Sequence, residues 1–415
     1  MRGLVLATLC AIALAHPLHA QEEEDDRGRL IQLIESQLSE GENRQVRIDG
    51  FRGALSSEAE LDRLSISDAD GEWLVLEDAR LNWRRLALLS GSLEIDALTA
   101  ERLTVVRPPL PPEGPDLPAP EATPFALPDL PVSVNIGEIA IAEVELGEPI
   151  IGIPATLSVA GSAQLAGGSG TVDLRMERLD GADGTFVLDA GFDNATRVLD
   201  IDLLLDEDEG GLVAELLNIP DTPALRLAVA GEGPLNDITV DIGLATDGVE
   251  RVDGVLRSSV MEGDAGQRIV IDIAGDLQPL VEAQYRPFFG GDSALSARVE
   301  RPEDGSTQLR DLRLATAAVL LEGDVTLDAE NRPAFADITG RITPPGGARR
   351  IVLPVPGAAT SLEAADLSVS FDAATDDAFV LSAALDGLDL DEFAIGAAQV
   401  DAVGRITPSE TGIAG

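Results

Sequence analysis

Apolar and polar residues alternate with a period of two along most of this chain, the pattern of strands with one apolar and one wetted face. Across residues 45–107 the runs "RQVRIDG", "ELDRLSISD", "WLVLEDARLNW", "SLEIDAL" and "RLTVVRP" alternate wholly or in part, with turn residues between them. From Val132 onward the texture is uniform. Runs such as "ALRLAVAGEG", "NDITVDIGL", "QRIVIDIAGD", "LLEGDVTLD" and "ADLSVSFDA" recur between Gly, Asp and Asn turns. At about 11 residues per strand and turn, residues 132–415 predict roughly 25 strands.

Two segments break the alternation. Asp26–Glu40 places apolar residues at 30, 31, 33, 34 and 38, which predicts one short amphipathic helix stopped by Gly41. Residues 108–131 contain ten prolines among 24 residues. Proline cannot donate to a ladder and favours an extended conformation, so this segment reads as a linker or strap. No segment is long enough for the helices of a parallel α/β sheet. The pentapeptide "GRITP" occurs at Gly340–Pro344 and again at Gly404–Pro408, an offset of 64 residues. Together with strands that close on glycine, it suggests a repetitive all-β architecture.

The N-terminus changes the picture of where the chain works. Arg2, the apolar run Gly3–Ala15 and "HPLHA" form an export signal with a cut after Ala20. The run is shorter than a membrane span of about 20 residues, which favours cleavage over retention as a short inner-membrane anchor. The domains read from the sequence are therefore residues 1–20 as signal, 21–107 as helix plus β module, 108–131 as linker or strap, and 132–415 as β repeats.

Composition then narrows the chemistry. The net charge is −45, which argues against nucleic acid as a partner. The hydrophobic content of 45% is enough to support folding, but aromatics are only 3%, so the apolar faces must be built from Leu, Val, Ile and Ala. There is no lysine, and the only Cys and His residues, Cys10, His16 and His19, lie in the signal. Beyond it the chain lacks the groups for the usual zinc sites, Ser–His or Cys–His nucleophiles and Schiff bases. Ser293 in "GGDSAL" has no histidine to activate it. "GGSGTVD" (167–173), "DEDEGG" (206–211) and "SDADGEW" (67–73) each approach a calcium-loop pattern without completing it, and read as turns. No catalytic residue, metal site or cofactor is expected, and the chain reads as a non-enzyme.

The order of small motifs carries a resemblance. A Gly-Phe-x-Gly turn (Gly50–Gly53) is followed by Asp-x-x-Gly-x-Trp (Asp68–Trp73), a Leu81-x-Trp83 strand end, a Leu-Leu-x-Gly turn (Leu88–Gly91) and Arg107-Pro108. Further on come "RLDGADGTFVL" and "EGGLVAELLNIPDTPALRLAVAGEGPLNDI". This string resembles the N-terminal portion of the TamB family, the inner-membrane and periplasmic subunits of the translocation and assembly module. These belong to the AsmA-like group of bridge-like lipid-transfer proteins, and the resemblance covers residues 27 to 330. It implies an elongated, curved β-sheet, open along one side like a taco, with an aliphatic groove for phospholipid acyl chains. It also implies a Gram-negative envelope location, contact with the inner membrane at the N-terminus, and a role in outer-membrane protein assembly and secretion. The implied partner is a TamA-like outer-membrane barrel protein, reached through a C-terminal region that this chain does not contain.

The alternation fits such a groove independently. Leu225, Leu227 and Val229, then Ile238, Val240 and Ile242, then Ile269, Ile271 and Ile273 each put three apolar residues on one strand face. They are the candidate groove residues. In "LNWRRLALLSG" (81–91), a strand is expected to end at Trp83, and the following turn to fold a small apolar patch onto the sheet edge under the stems of Arg84 and Arg85. The rival class is a structural β-solenoid of adhesin type, whose interior is filled by side chains.

Overall fold

A computed structural model describes residues 44–53, 56–110, 126–128, 130, 132–262, 265–355, 360–375, 378–390, 393–405, 407–409 and 412–414. The expected signal and the helix at 26–40 lie outside these residues. No helix among the described residues is long and apolar enough to cross a membrane. The chain divides into two compact units, Met1–Leu216 and Leu217–Gly415, and each is nearly all β.

The first unit contains β1 (Gln45–Asp49), β2 (Glu58–Asp68), β3 (Gly71–Trp83), β4 (Ser92–Val105) and β5 (Ser133–Leu146). It continues with β6 (Ala155–Ala166), β7 (Ser169–Arg178), β8 (Gly184–Asp193) and β9 (Val198–Glu207). Each strand pairs with the next, antiparallel in every case except β4–β5. Those two run parallel, with Ser92 beside Ser133 and Val105 beside Leu146. A parallel neighbour cannot be reached by a tight turn, so the chain must return along the full strand length first. The proline-rich segment makes that return. It joins two adjacent strands of one sheet, the position of the linker or strap expected at 108–131.

Turn chemistry sets the hairpins. Gly167 and Gly168 between β6 and β7 both have positive φ, +56° and +78°, as a two-residue hairpin turn that matches strand twist requires. That geometry accounts for the glycines of "GGSGTVD".

The second unit runs β10 (Leu225–Pro234), β11 (Ile238–Thr246), β12 (Val249–Val260), β13 (Gly266–Gly275), β14 (Ser293–Pro302) and β15 (Thr307–Ala315). Then follow β16 (Val319–Leu327), β17 (Pro333–Ile342), β18 (Ile351–Val352), β19 (Thr360–Leu362), β20 (Ala364–Asp372), β21 (Ala378–Leu390) and β22 (Phe393–Arg405). It is an antiparallel meander in which β17 pairs with β20, and the β18–β19 pair forms an insertion at one end. A separate small hairpin, β23 (Thr407–Ser409) with β24 (Gly412–Ala414), follows. Among the described residues no printed strand pairing closes either unit's sheet on itself. This is the repetitive all-β architecture expected from the alternation. Beyond residue 132 the described residues form 20 strands, β5 to β24, fewer than the roughly 25 expected. The long connection at 276–292, which contains no strand, takes up part of the difference.

Those long connections occur at one end of the second unit's strands, and tight turns such as 235–237 and 303–306 at the other. The compact core sits at the long-connection end. Ala318, Ile351 and Leu362 are buried there against Phe288, Ile342, Leu353, Ala365, Leu385 and Leu388. Close strand approach depends on glycine at Gly275, where a Cβ would lie 1.9 Å from the Arg251 carbonyl oxygen.

Candidate functional site

The registers place the apolar residues of successive strands side by side on one face. In the second unit Val229 lies opposite Ile242, Val240 opposite Leu256, and Leu256 opposite Ile271. Ile271 then meets Ala297, and Ile273 meets Leu295. All nine candidate groove residues thus share one face. Seven of them, Leu227, Val229, Val240, Ile242, Ile269, Ile271 and Ile273, are partly exposed. Leu225 and Ile238 are 2% and 5% exposed, so they are covered and unavailable to a ligand.

The face continues well past these nine. Leu295 meets Leu314, Leu314 meets Leu321, Ile338 meets Val369, and Val369 meets Leu381. In β15 the apolar spacing slips, with Leu309 followed by Leu312 and Leu314. A register shift between Leu309 and Leu312, with Asp311 at φ +51°, returns all three leucines to the same face. Period-two reading misses such a strand; a three-residue apolar step over an aspartate is the signal that would find it.

The first unit carries the same kind of face. Ile48 lies opposite Leu64, Leu64 opposite Leu76, and Leu76 opposite Leu103. In the parallel pair, Leu93, Ile95, Leu98, Ala100, Leu103 and Val105 lie beside Val134, Ile136, Ile139, Ile141, Val144 and Leu146. The two apolar sets have identical spacing, each residue 41 positions from its partner.

The opposite face is charged and crossed by ion pairs. Arg268 bonds Glu300 at 2.8 Å, Arg298 bonds Asp311 at 2.8 Å, and Arg341 bonds Asp366 at 2.7 Å. Arg102 joins Glu143 at 2.7 Å and Glu145 at 3.3 Å in the first unit. A shallow depression on this face, near Thr339, Ser368 and Ser382, has its strongest charges, Arg341 and Asp366, already paired.

Two anchors hold the described ends of the strap to the first unit. Asp68, whose side chain is fully buried, accepts bonds from Arg107 Nη2 at 2.5 Å and Nη1 at 2.9 Å. It also accepts from the backbone N–H groups of Asp70 and Leu110. The Arg107 guanidinium, aided by these two N–H groups, holds the Asp68 carboxyl far below the usual carboxylate range despite its burial. At the other end, the Leu127 N–H donates to Asn194 Oδ1, and Asn194 Nδ2 donates to the Leu127 carbonyl, both at 2.8 Å. The Leu127 side chain lies over Gly170, where a Cβ would come within 2.9 Å of it.

The motifs that carry the resemblance have local causes. Gly50 and Gly53 have φ +68° and +74°; a Cβ at Gly50 would strike the Asp62 carboxyl, and one at Gly53 the Glu58 carbonyl. Arg52 between them bonds Asp62 at 2.7 Å. The turn after Trp83 differs from expectation. Its 3₁₀ helix (Arg85–Ser90) leaves Leu86 and Leu89 78% and 70% exposed, not folded onto the sheet, because Arg84 instead bonds Asp96 at 2.6 Å.

Ser293 ends as a structural residue, buried and donating to the Phe289 carbonyl at 3.0 Å. Glu207 of the acidic turn accepts the Val213 N–H at 2.9 Å. Among the described residues no cluster of His, Cys, Asp or Glu could hold a metal ion. No family of known proteins, no characterised protein and no solved structure matches the chain.

Proposed function

We propose that this protein is a non-enzymatic, TamB-like envelope component that carries phospholipid acyl chains along the apolar face of its sheet. In this reading it serves transport between inner and outer membranes and outer-membrane protein assembly, with a TamA-like barrel as partner. The observation that carries the reading is the face itself. Among the described residues, aliphatic side chains line up strand after strand in each unit, and most of those on the shared face, seven of the nine candidates included, stay partly exposed, although buried apolar residues occur in both units. A filled interior would bury these residues fully, because apolar surface left wet forgoes about 25 cal/mol per Å². Branched aliphatic side chains with few aromatics suit acyl chains, which need contact area and no polar partners. The exposed Leu86 and Leu89 are consistent with an N-terminal region that works beside a membrane.

Ile271 tests the reading. It lies mid-strand on the apolar face, and Asp272 faces the other way beside Arg257. A photo-crosslinking residue at 271 should capture phospholipid in cells, and one at 272 should not. Ile271→Arg should abolish lipid capture and transport while costing the fold less than about 2 kcal/mol, because an open face lets the guanidinium reach water. In a filled core the same change would bury an unpaired charge and unfold the unit. Equal labelling at 271 and 272, lipid-free protein after gentle extraction, or unfolding of Ile271→Arg would overturn the reading.

A further inference from the structure

One residue of the strap already lies on the first unit's apolar face. Gly170 in β7 is paired with Leu165 of β6 and Phe192 of β8, and Leu165 with Val134 of β5. Directly paired residues share a face, so Gly170 belongs to the row of Val134, Leu165 and Phe192. A Cβ at Gly170 would come within 2.9 Å of Leu127 Cδ1 and 3.3 Å of Leu165 Cδ1. Leu127 therefore rests on this face, in the space that the missing side chain leaves. The floor beside it is low, since Val172 in the next row stands between two alanines, Ala163 and Ala190.

A single side chain clamps its backbone. Leu127 precedes Pro128, and the residue before a proline is kept extended. An extended residue directs its own N–H and C=O to the same side, where one carboxamide can meet both. Asn194, in the turn between β8 and β9, does so: the Leu127 N–H donates to Oδ1 and Nδ2 donates to the Leu127 carbonyl, each at 2.8 Å. Asn194 is itself fixed through its backbone N–H, which donates to the Gly168 carbonyl at 2.9 Å. Gly168 leaves room for the carboxamide, since a Cβ there would lie 2.8 Å from Asn194 Nδ2. The seat thus joins a backbone clamp to a space for a leucine, and both glycines make room for the contact. Leu127 remains only half-buried in it.

We propose that Leu127 is an autoinhibitory contact. Seated on Gly170, it takes the place of a hydrocarbon chain on this part of the first unit's face, and its release from Asn194 opens that part to lipid. The proposal rests on the lipid-carrying reading above. Leucine presents the same branched aliphatic surface as Leu165 and Val172, so it and an acyl chain compete for one floor. The clamp can be exchanged because its two hydrogen bonds go to one carboxamide, and water can replace both. A purely structural anchor predicts the opposite response: loosening it would disorder the face and lower lipid capture.

The test uses the full chain with Cys10→Ser, phosphatidylethanolamine vesicles as probe, and a photo-crosslinking residue at 172, beside the seat, or at 271 in the second unit. Asn194→Ala and Leu127→Ser should each raise capture at 172 about threefold or more, because apparent affinity scales with the fraction of open seats, and should leave capture at 271 unchanged. Leu127→Ser keeps the clamp and the turn, so it serves even if Asn194→Ala disturbs the fold. Leu127→Cys with Gly170→Cys supplies the converse. The oxidised pair locks residue 127 in the seat and should hold capture at 172 at or below its starting level, and reduction should raise it about threefold. The chain has no other cysteine once Cys10 is replaced, so reduction acts on this pair alone. Capture at 271 with no rise at 172 in Leu127→Ser, or with capture at 172 indifferent to oxidation of the pair, overturns this proposal and leaves the lipid reading standing. No capture at 271 overturns the lipid reading and this proposal with it.

Discussion

Both units present an aliphatic face, yet they secure their long connections by different means. In the first unit the crossover from β4 to β5 is fastened by polar contacts, the Asp68–Arg107 pair at one end and the reciprocal Leu127–Asn194 bonds at the other. In the second unit the long connections at 276–292 and 343–363 share an apolar cluster, with Phe288, Ile351 and Leu362 around Ala318, beside ion pairs such as Arg350–Asp389 at 2.9 Å. The difference follows from topology. A crossover that must travel the length of a parallel strand cannot stay in one apolar cluster, so it is held at separate points. Connections that return to the end they left can share one cluster. The first unit should therefore respond to changes in charge and hydrogen bonding, and the second to changes in side-chain volume.

The largest expected effect breaks the packed side. Leu362 is 2% exposed in the cluster, and Leu362→Ala should destabilise the second unit by about 3 kcal/mol through lost burial and the remaining cavity. Hydrogen exchange resolved by segment should show faster exchange across β17–β21 and unchanged protection in β2–β8. Equal loss in both units would mean that they unfold as one, and the comparison would fail.

Next in size is the polar side. Asp68→Asn keeps the shape of the side chain but turns one of its two acceptor oxygens into a donor facing other donors. The Leu110 amide should then exchange about tenfold faster or more, and the strap should become more open to protease. The pH dependence has a definite sign. Asp68 is held below its ordinary value in the folded protein, so its contribution is fully present above the usual carboxylate range, about 3.9. It is lost only as pH falls through the depressed value. Leu110 protection, corrected for intrinsic exchange, should stay level between pH 7 and pH 5 in the unaltered protein. A decline in that interval would mean that the pair does not govern the strap.

Much of this was legible in the sequence because strand alternation is a local property. The nine candidate groove residues fall on one face because each triplet already had the right spacing. The burial of Leu225 and Ile238 was not legible, since it depends on which connections cover the strand ends. The parallel pairing of β4 and β5 was legible in principle. Leu93 to Val105 and Val134 to Leu146 share one unusual spacing of apolar residues, including two three-residue steps, and matched irregularities mark strands that lie side by side. Proline content alone could not distinguish a linker from a crossover. The exposure of Leu86 and Leu89 ran against expectation because a tertiary ion pair, Arg84 with Asp96, took the arginine assigned to cover them.

The smallest effect sharpens the comparison by repeating its chemistry where burial is absent. Asp272 pairs with Arg257 across β12 and β13 at 3.6 Å, with side chains 54% and 55% exposed. Asp272→Asn removes the same charge as Asp68→Asn, but both partners remain hydrated when the pair is broken. The cost should be about 0.5 kcal/mol or less in a denaturant midpoint at low salt, and should vanish in high salt, where exposed charges are screened. Asp68→Asn should keep its effect in high salt, because the fully buried carboxyl is shielded from counterions. If the two substitutions proved equal in size and equally sensitive to salt, burial would not be what separates the strap's anchor from a surface ion pair. The contrast between a polar-fastened first unit and a packed second unit would then reduce to the position of the charges alone.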